Sequence, residues 1–562
     1  MRKTVFLAII INTLTARGDT LSYPDSKPGK TVDTLHDIKV PDPYRWLEDL
    51  NSDQTSAWVK AQNSLTDSYL DAIPGRQALE NHLTKLWNVE RLGVPSFEGG
   101  SYFFSKNNGL QNQSVLYSSK SLDLEPTVLL DPNKLSKDGT VALNSYEVSP
   151  DGKYLAYSTS ASGSDWVEWK VREIPSRKDL SDHLKWSKFS GVSWAKNSKG
   201  FYYGRFPTPK DGEEMMAQNI HKKIYFHEIG KPQSEDLLVY ERPNQPKQGL
   251  YAWVTEDGKY LLIQVSQGTD TKNGLFYKDL SNSTSKVIEL LSSFDASYDF
   301  ITNLGSKFII RTDLNAPKQK VISIDVNEPL SVRWETIIPE STETLRSVSH
   351  IGGLFIANYL KDARTEIRRF KTDGNSLPPV KLPGLGTASG FEGKSDQNET
   401  FYYFTSFTSP GAVYRYDVTR NASTLLKAPK TQFDRDHYES RQIFATSRDG
   451  TKIPMFIVSK KNLKLDGNNP TLLYAYGGFN ISLRPSYSPA TIAWLDLGGI
   501  YVMANLRGGG EYGEEWHEAG MKLKKQNVFD DFIACAEHLI SNKSITKYIL
   551  ILYGSILTPK RP

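Results

Sequence analysis

The sequence predicts a seven-bladed β-propeller followed by a largely parallel α/β domain, and three observations carry that prediction. The first is a recurring phrase. Ser149-Pro150-Asp151-Gly152-Lys153-Tyr154-Leu155 returns in weaker form at Asn197–Tyr203 and Glu256–Leu261. Fainter echoes stand at Gly305–Phe308, Gly352–Phe355 and Gln397–Phe401, and Gly99-Gly100-Ser101-Tyr102 is the earliest. The second is the spacing. The first strand residue of each phrase falls at 102, 154, 201, 260, 308, 354 and 401, in steps of 46 to 59 residues. A period of about 40–50 residues with four strands per repeat marks a propeller, because a small sheet buries both faces only by stacking on its neighbours. An irregular array of β-sandwiches is the alternative. The third is a change of texture near residue 430, where apolar strands begin to alternate with helices, the pattern of a sheet covered on both faces.

Taken in order, residues 1–20 form a signal-like extension. Arg2 and Lys3 precede an apolar run, Val5 to Ile11, with small residues at Ala16 and Gly18. The run is too short to span a bilayer. An extension or a misjudged start fits as well. The compartment is open: secreted or periplasmic if this is a signal peptide. Residues 21–75 are read as an N-terminal helical part of the α/β domain. Pro43–Glu48 leads into a helix over Thr55 to Leu70 with a stripe of Trp58, Ala61, Leu65 and Leu70. A second helix is expected from Arg76 to Trp87. The propeller is assigned residues 76–429 and the α/β domain residues 430–562. In the latter, strands are expected at Ile453–Val458, Thr471–Tyr476, Ile500–Ala504 and Tyr548–Tyr553, with a helix from Val528 to Ile540. Asn527 stands where it would cap that helix, and Asp530 where it would favour its positive end.

Composition excludes several classes. The 562 residues carry a net charge of only +4 and no run of five basic residues, so no nucleic-acid partner is expected. The most basic cluster, Lys522, Lys524 and Lys525, reads as exposed surface. Cys535 is the single cysteine, which excludes an intramolecular disulfide and a CxxC zinc site. The nine histidines contain no HExxH. No metal, organic cofactor or membrane span is expected.

Three stretches could carry chemistry. Ser555 follows Gly554 at the end of an apolar strand, where a strand-to-helix turn presents a nucleophile in G-x-S-x-G enzymes. Its flanking positions are Tyr553 and Leu557, so the motif fails on both sides, and an ordinary loop serine is the plain alternative. Tyr474-Ala475-Tyr476-Gly477-Gly478-Phe479 places a Gly-Gly pair after a buried strand, exposing backbone N–H groups as oxyanion loops do; a simple β-turn fits equally. Leu506–Gly513 is a Gly-rich, charged loop at a strand end, either a ligand loop or a solvated one.

Together these stretches resemble the prolyl oligopeptidase family. The phrases that carry the resemblance are Asp42–Glu48, Gly109–Gln113, Ser160–Trp166, Asp449–Phe456, Tyr476–Asn480, Asn505–Gly513 with Trp516-His517, and Lys525–Asn527 with Phe529–Phe532. They stand in the family's order over about residues 22 to 547. The resemblance implies a monomeric, cytoplasmic serine endopeptidase that cleaves short peptides after proline, with a β-propeller plus an incomplete α/β-hydrolase domain. It implies Ser555 at the nucleophile position, Tyr476 as the oxyanion donor, Phe479 beside the proline pocket and Arg507 in a substrate-binding loop. The family's elbow reads Gly-Gly-Ser-Asn-Gly-Gly, whereas Tyr553-Gly554-Ser555-Ile556-Leu557 stands here. The acid and base follow the serine in this fold, yet all nine histidines precede Ser555. The expectation is therefore an inactive, truncated peptidase with an unpaired sheet edge. A non-catalytic peptide-binding or regulatory propeller is the alternative.

Overall fold

The computed structural model describes residues 21–431, 433–464, 466–542 and the backbone strand Leu550–Gly554. They fall into two compact units that divide between Leu86 and Trp87. In the first, a hairpin pairs Val32–Leu35 with Ile38–Pro41. The helix Asp53–Asp71 starts where Ser52 Oγ accepts from the Thr55 amide at 3.2 Å. Arg45 donates to Asp42 at 2.6 Å and also pairs with Asp33, tying the Asp42–Glu48 phrase to the hairpin. The expected second helix is present as Arg76–Trp87.

The second unit opens with seven sheets of four or five strands, each built from consecutive segments. We number them as blades 1 to 7: residues 91–130, 141–187, 192–240, 248–291, 298–338, 344–380 and 387–427. The first blade strand begins at Arg91, after the expected helix Arg76–Trp87 that was assigned with the propeller. All seven repeat positions lie in the strand next to the first strand of their sheet. The repeated phrase has one cause. In blade 2, Asp151 Oδ1 accepts from Ser149 Oγ at 2.7 Å and from the Lys153 amide at 3.1 Å, with Gly152 at φ 70°. In blade 4, Asp257 Oδ1 does the same with Thr255 Oγ1 and Lys259, with Gly258 at φ 78°. The aspartate ties the turn to its own backbone and glycine takes the left-handed conformation.

The second strands lie in the middle of the blades and read as continuous apolar runs. Tyr260, Leu261, Leu262, Ile263 and Val265 are all buried because both faces meet a neighbouring blade. Tyr260 and Tyr277 pack on Phe308 of the next blade, and comparable clusters join the other successive blades through to 7. Blade 7 meets blade 1 through side chains: Tyr102 donates to Glu399 at 2.6 Å, and Glu90 pairs with Lys427 at 2.8 Å. The ring of packed blades overturns the β-sandwich alternative.

Residues 438–554 form a five-stranded sheet in the order Tyr438–Thr446, Lys452–Lys460, Ile500–Ala504, Thr471–Ala475, Leu550–Gly554. The last three strands are parallel, and the first two are antiparallel, so the sheet is mixed rather than largely parallel. A helix at Pro489–Asp496, capped by Ser488, was not legible because its apolar residues leave no polar face to define a period. The expected C-terminal helix spans Gln526–Ser541 and buries Val528, Phe532, Cys535 and Leu539 against Leu473, Val502 and Ala504. Each such large apolar side chain contributes about 1.5–3 kcal/mol on burial. Its start differs from expectation. Asn527 lies inside the helix and donates to the Ala519 carbonyl at 2.8 Å, and Asp530, beyond the first turn, accepts from Gln526.

Candidate active site

The site is built at the carboxyl ends of the parallel strands, where α/β sheets place their ligands. Strand Thr471–Ala475 ends in Tyr476-Gly477-Gly478-Phe479, and its partner strand ends level with it, Ala475 opposite Gly554. Tyr476 is half-buried, and among the described residues its hydroxyl has no hydrogen-bond partner. Ser555, the expected nucleophile position, lies outside the described residues, as do residues 1–20 and the first two residues of the strand expected at Tyr548–Tyr553.

The Gly-Gly turn is tightly held. Gly477 takes φ 63°, and a β-carbon there would stand 2.6 Å from Val528 Cγ1. Lys525 Nζ donates to the Gly477 carbonyl at 2.9 Å. Phe479 and Asn480 follow at φ 52° and 56°, a pair of left-handed non-glycine residues that costs free energy unless the surroundings fix it. Here the Asn480 amide donates to the Gly508 carbonyl at 3.1 Å, and His517 Nδ1 lies 2.8 Å from the same carbonyl. The same Asn480 amide lies 3.1 Å from His517 Nδ1, so the ring nitrogen, the amide and the Gly508 carbonyl meet at one point. The result turns the Phe479 ring outward, 57% exposed.

Phe479 borders a cavity of about 600 Å³ between the sheet loops and Gln267–Lys272 of blade 4. Asp270, Lys272, Glu514 and Glu518 surround it with charges of both signs. Lys525, read from the sequence as exposed surface, is half-buried on the Gly477 carbonyl while Lys522 and Lys524 are exposed, and His517 was given no role although both stand in the phrases that carried the resemblance.

Arg507 does not reach the cavity. Its side chain is 6% exposed, and its guanidinium donates to Asp531 at 2.6 and 2.9 Å, to Ser447 and to Asp449. Those hydrogen bonds and charges hold the guanidinium protonated and pull the Asp449 carboxyl down to about 2. The substrate contact expected of Arg507 is replaced by a buried ion network joining strand end, turn and helix. The loop lines the cavity through Gly508. Further along the same loop, Glu511 is buried and accepts from the Leu483 amide at 2.9 Å and Asn505 Nδ2 at 3.0 Å. Burial outweighs those bonds and pushes its carboxyl up to about 7.

A ring of seven blades followed by an α/β sheet with a Gly-Gly turn at its strand ends is the architecture of a propeller-bearing α/β-hydrolase. Residues 24–429 match the model of the prolyl oligopeptidase N-terminal β-propeller domain, and residues 485–555 match that of the prolyl oligopeptidase family. The chain is 40% identical to a prolyl endopeptidase of Elizabethkingia meningoseptica, over 95% of its own length and 75% of the relative's. It is 35% identical to a dual function macrocyclase-peptidase of Galerina marginata, over 93% and 76%. A solved prolyl endopeptidase structure superposes with a TM-score of 0.89 at 38% identity, covering 95% of this chain and 78% of that one. A mutant Galerina marginata prolyl oligopeptidase B, bound to a 35-residue hydrolysis and macrocyclization substrate, gives 0.87 at 35% identity, covering 95% and 78%. The chain belongs to the prolyl oligopeptidase family of serine peptidases. Among the described residues no helix is long and apolar enough to cross a membrane, and no group of three or more His, Cys, Asp or Glu could hold a metal.

Proposed function

We propose that the protein is a serine endopeptidase that binds short peptides and cleaves on the carboxyl side of proline. The observation that carries this reading is the level ending of the two paired strands, Ala475 against Gly554, with Tyr476 on one and Ser555 next on the other. In this reading the Ser555 hydroxyl attacks the proline carbonyl, and the carbonyl oxygen gathers negative charge. The Tyr476 hydroxyl, unpartnered among the described residues, donates to that oxygen as the charge develops. A donor fixed in advance pays no reorganisation cost at that moment. The exposed Phe479 ring offers an apolar wall for a proline ring. The histidine and acid that would activate the serine are not assigned among these residues. Neither the inactivity expected from sequence nor the non-catalytic binding reading draws support from the geometry or the similarities.

The test is release of a chromophore from an amino-blocked Gly-Pro substrate, compared with the Gly-Ala analogue. Cleavage confined to the proline substrate is expected. Tyr476→Phe is expected to lower kcat by about 10²–10³ with little change in KM. Saturable peptide binding without cleavage would overturn the proposal and favour the binding propeller.

A further inference from the structure

The first strands of successive blades touch one another, in the pairs 2–3, 3–4, 5–6 and 6–7, so they line a central channel. Thr344, which opens the first strand of blade 6, donates to the Glu511 carbonyl at 3.3 Å. That end of the channel therefore faces the α/β domain. The first strands of blades 4 to 7 finish at Val254, Leu304, Ile351 and Glu392, around the opposite mouth. A cavity of about 380 Å³ lies there, bordered by Trp253, Thr302, Ser349, His350 and Glu392.

One segment crosses this mouth. Residues 393–397 leave the first strand of blade 7, and Ser395 bonds to Glu256, which follows the first strand of blade 4. Its hydroxyl donates at 2.8 Å, and its amide lies 3.1 and 3.2 Å from the two carboxylate oxygens. Blades 4 and 7 have two blades between them one way round the ring and three the other. A contact between them must cross the axis. Two more anchors hold the segment. Lys394 pairs with Glu98 of blade 1 at 2.5 Å, and the Gly353 amide of blade 6 donates to the Ser395 carbonyl at 2.9 Å. Hydrogen bonds to an ionised acceptor are the stronger kind, which suits a latch made of few contacts.

We propose that residues 393–397 are a strap sealing this mouth of the channel, latched by Ser395 onto Glu256. Peptides then reach the candidate site only from elsewhere, and Ser395 and Glu256 determine which route is closed. What is excluded rests on the peptidase reading; the strap itself does not.

The test uses the whole chain with Ser349→Cys as a reporter under the strap, since the native Cys535 is fully buried. Labelling by a polyethylene-glycol maleimide and by N-ethylmaleimide is timed with the strap intact and with it freed by Glu256→Ala and Ser395→Gly. Freeing the strap is expected to speed the polymer reagent about tenfold or more and the small reagent less than about twofold. Equal polymer rates would overturn the proposal. Independently, Glu256→Cys with Ser395→Cys is expected to be bridged by a short bifunctional thiol reagent, whose span makes up for the side-chain length lost from glutamate, and a folded protein that is not bridged would overturn the latch geometry. Neither readout depends on peptide binding or cleavage, so failure of the strap leaves the proposed function standing, and the reverse.

Discussion

His227 shows how one buried side chain can bind two blades. It is fully buried on the third strand of blade 3. Its Nδ1 lies 2.7 Å from Asp236 and its Nε2 2.9 Å from Asp182 of blade 2. Burial alone would lower its pKa, but the two carboxylates outweigh that and raise it to about 9. The sign follows from the folded value lying above the ordinary 6.5. The stabilisation is full below about 6.5 and is lost as pH rises through about 9. Thermal melts from pH 6 to 10 are expected to show Tm falling above pH 8, and His227→Gln to flatten that fall. The substitution also leaves two buried carboxylates without their cation, at a cost of about 3–5 kcal/mol. Arg507→Met is expected to cost a similar amount by stranding the fully buried Asp531, measurable in urea unfolding. Neither network was legible in the sequence. His227 and Asp182 stand 45 positions apart, and Arg507 and Asp531 stand 24 apart. Nothing in local spacing pairs them; only the blade stacking and the strand–helix packing do.

At the scale of elements, periodicity was a reliable guide where one face is buried and misled where it is not. The stripe Val528, Phe532, Ala536 with Cys535, and Leu539 located its helix because Gln526, Asp530 and Glu537 interrupt the apolar residues between its turns. Pro489–Asp496 escaped because apolar residues surround it. Asn527 has a capping side chain, yet the chain enters the helix two residues earlier through Lys525, whose side chain is committed to Gly477. Tertiary contact overrode local propensity there. The turn it supports gives a prediction. Gly477→Ala would place a methyl against Val528 and demand a left-handed conformation, costing about 1–3 kcal/mol. A lowered Tm is expected, partly restored by adding Val528→Ala, since only the clash is relieved.

For the whole molecule, the repeat spacing disclosed the ring because each blade is a consecutive stretch and a tight turn precedes its second strand, built on Asp151-Gly152 and Asp257-Gly258 in blades 2 and 4. It did not disclose how the ring closes. Among the described residues no strand from one end of the propeller joins the sheet at the other, so the seam between blades 1 and 7 relies on side chains such as Tyr102, Glu399, Glu90 and Lys427. Hydrogen exchange is expected to reach the amides of residues 91–107 and 387–427 before those of blades 4 and 5. Uniform protection around the ring would contradict that order.

The level ending of the paired strands sets a ruler. Along a parallel pair, position changes only in steps of about 3.3 Å, and a one-residue slip also turns every side chain to the other face. The offset between the two strand ends, Ala475 and Gly554, therefore cannot drift. It is counted out in whole backbone units by the pairing of Thr471–Ala475 with Leu550–Gly554, and any insertion in either strand would shift the reach of one loop against the other by more than the length of a hydrogen bond.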